Sequence, residues 1–174
     1  MISLTLRTGA LIAFPYTKRQ TCQAIQVMLE CLGTPAASLE LILTGDEEIA
    51  RLNEEFLGCI GPTNILSFPS EEQESFATGS TGGATLDSAA QKSNEHHIET
   101  QGKMLETMPP YDMGVLALST VAVVRESFLY GQRAEEHALR LIAHGLLHLA
   151  GYEHGFEMDM QTDSLVEHSL RFLS

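Results

Sequence analysis

Apolar positions change period along this chain, and each change marks an element. Ile2–Arg7 (ISLTLR) and Ser38–Thr44 (SLELILT) alternate apolar with polar residues, the two-residue period of a half-buried strand. Between them, Thr17–Leu32 carries helical spacing until Gly33-Thr34-Pro35 stops it. Asp46 is expected to cap a second helix reaching about Phe56, with Glu47 and Glu48 in its first turn, where carboxylates suit the helix dipole. Gly61-Pro62-Thr63-Asn64 then turns the chain into a short strand, Ile65–Phe68, stopped at Pro69. Met113–Ser119 (MGVLALS) is apolar without alternation, the pattern of a central strand covered on both faces. Thr120–Leu129 reads as a short helix, Arg133–Ala150 as a long buried one, and Met158–Phe172 as an amphipathic closing helix. The order βαβαββααα predicts an α+β fold, a small mixed sheet with helices packed on it.

One stretch breaks this rhythm. From Ser70 to about Pro110, Ser, Thr, Gly, Glu and Gln dominate and few apolar residues are available to bury. A flexible loop insertion at about 70–110, within a single domain spanning 1–174, is the expectation. His96 and His97 fall in it and are read as solvated.

Composition narrows the class. A hydrophobic content of 44% and mean hydropathy of +0.01 fit a soluble globular domain. No apolar run has the length of a transmembrane helix, and the N-terminus lacks a secretory signal, so a cytoplasmic protein without a membrane partner is expected. Cys22, Cys31 and Cys59 are odd in number and lack metal-like spacing, and they read as buried thiols of a reducing compartment. A net charge of −13 with three lysines repels polyanions over most of the surface. A nucleic-acid role therefore requires a local cationic site.

The segment His144-Gly-Leu-Leu-His148-Leu-Ala-Gly-Tyr-Glu-His154 supplies such a site. Residues four apart on a helix share a face, with Cβ atoms roughly 5–6 Å apart, so His144 and His148 can grip one ion. His154 must approach from another direction, and Gly151 can provide the turn because glycine enters the left-handed conformation that ends helices. Three protein ligands leave a tetrahedral zinc one open position, the mark of a catalytic rather than structural site. The spacing matches the long zinc-protease motif, but Gly145 stands where those proteases carry the glutamate base, which argues against a peptidase.

Taken with PTNILSFP upstream, HGLLHLAGYEH closely resembles the YbeY family of bacterial rRNA-maturation proteins, single-strand-specific endoribonucleases. The likeness runs from about Leu52 (LNEEFLGCIGPTNILSFP) through MGVLALS to the last helix. It implies one zinc per chain on His144, His148 and His154, a four-stranded sheet with helices, and processing of the 16S rRNA 3′ end. It also implies rRNA, the small ribosomal subunit and its assembly factors as partners, rather than DNA. Three departures stand out: Glu153 replaces the aspartate of the family's GYDH, Val115 replaces the aspartate of its Gly-Asp, and Leu57 replaces the arginine of its Tyr-Arg-Gly stretch.

The remaining candidates follow from position. Glu153, beside the last histidine, could transfer a proton or orient a ligand imidazole. Thr63, Asn64 and Ser67 could hydrogen-bond phosphate or ribose from the sheet edge, or simply cap the turn before the strand. Arg133 and Arg140 could replace the missing cation, or pair with Glu135 and Glu136 on the helix surface. Two functions stay open: a zinc-dependent endoribonuclease, favoured by the open coordination position, and a non-catalytic ribosome-assembly binding protein with a stabilising zinc, favoured by Leu57 and the net charge.

Overall fold

In the computed structural model, residues 1–7, 14–70 and 111–174 are described. The 70–110 insertion, with His96 and His97, thus lies outside the described residues except for its first position. The chain forms β1 (Ile2–Leu6), α1 (Lys18–Cys31), β2 (Ser38–Thr44), α2 (Asp46–Leu57), β3 (Ile65–Pro69), β4 (Asp112–Ser119), α3 (Thr120–Leu129), α4 (Ala134–Leu149) and α5 (Phe156–Leu173). The expected element order and the mixed α+β class are both present, with boundaries shifted by a residue or two.

The four strands stand in the order β1-β2-β4-β3. β1 and β2 are parallel, β2 and β4 are parallel, and β3 runs antiparallel to β4. β4 is therefore interior, as its unalternating apolar sequence requires. Leu39, Leu41, Leu43, Leu116 and Leu118 join one core with buried residues of α1, α4 and α5. Ile42, Leu66 and Ala117 form a smaller second core with Ile49 of α2. The two-residue strand period thus sends alternate side chains to two helical layers.

α4 lies deepest among the helices. Ala138, Leu139, Ile142, Ala143, Leu146 and Leu147 are all fully buried, so the helix is covered nearly all round. It rests on β3 and β4 and is flanked by α1, α3 and α5. A site built on this helix has a rigid support.

Three expectations need correction. Asp46 is not the cap of α2: Gly45 holds that position without a side-chain bond. The Asp46 carboxylate is drawn across to β4 and α3, accepting from Ser119 Oγ at 2.6 Å and Arg125 Nη1 at 2.5 Å. The cysteines are not buried, since Cys22 is half-buried and Cys31 and Cys59 are exposed; all three are free thiols. Their near-apolar character does not compel burial when the neighbouring core is already filled. Finally, Arg140 pairs with Asp163 of α5 at 2.6 Å rather than with the glutamates of its own helix, whereas Arg133 does meet Glu135, at 3.7 Å.

Candidate metal centre

The local sequence after α4 explains how three histidines meet. His144 and His148 project from one face of α4, one turn apart, with Nε2 atoms 3.2 Å from each other. The helix then ends in a Schellman motif. Tyr152 N–H donates to Leu147 O at 3.0 Å, and Gly151 N–H donates to His148 O at 3.0 Å. Gly151 has φ of 86°, a left-handed conformation that glycine adopts without the Cβ clash of other residues. The chain reverses there and returns His154 over the two helical histidines. The ring centroids lie 4.7, 5.3 and 4.5 Å apart for the 144–148, 144–154 and 148–154 pairs. One nitrogen from each ring falls within 4.8 Å of the others.

This donor set fits a metal ion. Two nitrogens on a tetrahedral zinc, each bonded at roughly 2.0–2.1 Å, would stand about 3.3 Å apart, close to the His144–His148 separation. Burial lowers the pKa of His144 first, with His148 and His154 adding repulsion and Asp159 opposing it. Burial and His154 lower His148 likewise, while a hydrogen bond to the Tyr152 backbone opposes them. Both imidazoles are thereby biased toward the neutral form that ligates metals.

Gly145, next to His144, faces the sheet and not the histidine cluster. A Cβ there would stand 2.7 Å from Ile65 Cδ1, 2.9 Å from Leu116 Cδ2 and 3.3 Å from Ser67 Oγ. The close approach of α4 to β3 and β4 is thus the physical reason that the peptidase glutamate has no counterpart here.

The other sequence candidates divide by position. Ser67 lies nearest the histidines along α4, its hydroxyl donating to Gly145 O at 3.1 Å. Asn64 sits at the start of β3, where its Oδ1 accepts from Ile65 N–H at 2.8 Å and its Nδ2 donates to Glu126 at 3.1 Å. Thr63 is half-buried beside it. Glu153 is exposed in the turn before His154, and makes no side-chain hydrogen bond to a described residue. Leu57 is exposed at the end of α2.

Two residues near this region escaped the sequence reading. Asp159, in the first turn of α5, is a carboxylate that acts on His144. His137, only 3% exposed, lies seven residues before His144 and so two turns below it on α4. The seven-residue spacing of two histidines on a buried helix is the signal by which it could have been found.

A mixed four-stranded sheet carrying a buried helix, with His-x3-His on that helix and a third histidine returned by a Schellman turn, defines a class of protein with a three-imidazole cluster able to hold a metal ion. The family described as Endoribonuclease YbeY matches residues 12–170, and the chain belongs to that family. The endoribonuclease YbeY of Oleidesulfovibrio alaskensis is 48% identical over 171 residues, covering 96% of this chain and 91% of the relative. That of Nitratidesulfovibrio vulgaris is 40% identical over 156 residues, covering 90% and 86%. In fold, the chain resembles the solution structure of TM1509 from Thermotoga maritima, with a TM-score of 0.56, 20% identity, and coverage of 99% and 91%.

Proposed function

We propose that this chain is a zinc-dependent, single-strand-specific endoribonuclease that acts in 16S rRNA 3′-end maturation and ribosome quality control. In this reading it works in the cytoplasm as one domain over 1–174, with rRNA and the small ribosomal subunit and its assembly factors as partners. His144, His148 and His154 hold one zinc per chain. The observation that carries the reading is the convergence of one nitrogen from each imidazole within 4.8 Å. RNA as the substrate is supported by the relatives' description as endoribonucleases.

When bound, the zinc supplies Lewis acidity toward a phosphoryl oxygen and toward water. The chain's own residues do the rest. Glu153, exposed beside His154, is the carboxylate assigned to proton transfer, because Gly145 offers none. Thr63, through its hydroxyl, and Asn64, through the second hydrogen of its amide, donate to phosphate or ribose oxygens. Ser67 has committed its donor to Gly145 O and retains lone pairs that accept from a ribose hydroxyl. Arg7, Arg51, Arg125, Arg133, Arg140 and Arg171 each pair with a carboxylate, so they are poorly placed to replace the family's arginine.

That last point favours a second reading, a ribosome-assembly binding protein in which the metal stabilises the fold without catalysis. Leu57 is the specific observation behind it, because an exposed leucine cannot clamp a phosphate as a guanidinium does. Cleavage of an rRNA 3′-end fragment by metal-quantified protein, with His148→Ala in parallel, separates the two. Cleavage by the wild type alone, at about one zinc per chain, supports the enzyme. A fully metallated wild type that leaves the RNA intact overturns it in favour of the binding protein.

A further inference from the structure

A buried polar chain links the candidate RNA-binding residue Asn64 to the base of the histidine helix. His137 of α4 is 3% exposed, and its Nε2 lies 3.1 Å from Glu126 Oε2 of α3. Its Nδ1 lies 3.0 Å from Gln132 Oε1, in the turn between those helices. The same Oε2 of Glu126 accepts from Asn64 Nδ2 at 3.1 Å. Three elements are thus joined at one oxygen: α4, α3 and the turn that opens β3.

Asn64 is held on every other side as well. Its Oδ1 accepts from Ile65 N–H, and its backbone carbonyl accepts from Ser119 N–H at 2.9 Å. An asparagine needs only the first of these bonds to cap a turn, as Asx turns show. The bond to Glu126 does something else: it fixes the amide plane and commits one N–H, so the second points in a single direction. It also ties the Glu126 carboxylate, whose side chain is 15% exposed, to donors on two sides.

We propose that Glu126, anchored by His137, is a positioning residue that aims the free amide N–H of Asn64 at an RNA backbone oxygen. The proposal rests on the endoribonuclease reading given above. His137 stands two turns before His144, about 10 Å along the helix axis at 1.5 Å per residue, so this chain meets α4 below the histidine cluster and Asn64 is assigned to binding rather than to the chemical step. Its contribution is binding that is equal in ground and transition states, which raises KM when lost and leaves kcat alone.

The test is a cycle of Asn64→Ala, Glu126→Ala and the double variant, with Glu126→Gln as the conservative control, on zinc-loaded full-length protein cleaving single-stranded rRNA. Each single alanine variant is expected to raise KM about tenfold, with kcat within about threefold and bound zinc unchanged. The double variant is expected to match Asn64→Ala, because residues that act through one another do not add. Glu126→Gln keeps an oxygen that accepts both hydrogen bonds and should remain within about threefold of wild type. Glu126→Ala leaves a buried imidazole short of a partner and Asn64→Ala removes the cap on Ile65 N–H. Each variant is therefore compared at matched folded fraction by circular dichroism, and Glu126→Gln, which keeps both acceptor contacts, carries the comparison if an alanine variant unfolds. Additive losses in the double variant, a Glu126→Gln as impaired as Glu126→Ala, or an effect confined to kcat would each overturn the positioning role while leaving the enzyme intact. A wild type that neither binds nor cleaves the RNA would overturn the enzyme and the positioning role together.

Discussion

Gly145→Ala probes the closest approach between the histidine helix and the sheet. Two effects oppose each other there. Alanine relieves the entropic penalty of glycine inside a helix, a gain of roughly 0.8–1 kcal/mol. Against this, the new methyl would stand 2.7 Å from Ile65 Cδ1 and 2.9 Å from Leu116 Cδ2. Overpacking of that kind costs about 1–3 kcal/mol when the surroundings cannot yield. Leu116 is fully buried in β4 and cannot withdraw, whereas Ile65 is half-buried and can move only a little. With one neighbour fixed and the other nearly so, the upper part of that range applies, about 2–3 kcal/mol, and the steric term wins with a net loss of about 1–2 kcal/mol. In a chain of this size each kcal/mol is worth roughly 2–4 °C, so the Tm should fall by about 2–8 °C. Thermal unfolding of metal-free protein followed by far-ultraviolet circular dichroism measures this directly. Ile65→Val supplies the control, since it deletes the clashing Cδ1. Alone it should cost about 0.5–1.5 kcal/mol. Combined with Gly145→Ala it should recover stability, giving a coupling of at least about 0.5 kcal/mol. An unchanged or higher Tm for Gly145→Ala, or costs that simply add, would refute the close seating of α4 on β3 and β4.

Other perturbations test the centre itself. His148→Ala should reduce bound zinc to a small fraction of one per chain and abolish RNA cleavage, and zinc should no longer raise its Tm, because site binding energy appears as folding energy. Metal analysis and unfolding with and without added zinc check both. The metal-free protein should lose stability as pH falls below about 6.5, the ordinary histidine value, because His144 and His148 are held below that value in the folded chain. In that window the unfolded chain binds more protons than the folded one, so stability rises with pH through it and flattens above. Urea midpoints at successive pH values give the slope, and a midpoint that rises on acidification would contradict it. Leu57→Arg should raise RNA cleavage about tenfold or more by restoring a guanidinium able to contact phosphate. An unchanged rate, measured at equal zinc content, would show that Leu57 does not face the bound RNA.

How much of this was written in the chain depends on how far apart the cooperating residues lie. His144 and His148 were legible because a four-residue spacing on a buried helix has one geometric meaning, and Gly151 because few residues adopt φ of 86° at a helix end. β4 declared its interior place by being apolar on both faces. The order of the strands was not legible in the same way, since β4 inserts between β2 and β3 through pairings that no local period specifies. Asp46 shows the difference most clearly. Its neighbours mark it as a helix cap, yet its carboxylate serves Ser119 and Arg125, 73 and 79 residues further on. A local rule failed there because a distant pair of donors offered the charge more than its own helix did. The Glu126–His137–Asn64 chain has the same origin: each residue has a bland local reading, and its chemistry exists only after α3, α4 and β3 have packed. The three clustered histidines lie within eleven residues, so their convergence can be read in one window, whereas the residues proposed to orient Asn64 toward RNA depend on tertiary structure. Leu57, one of the three departures from the pattern that the family resemblance implies, belongs with that second group, because its exposed side chain at the end of α2 lies outside the histidine motif.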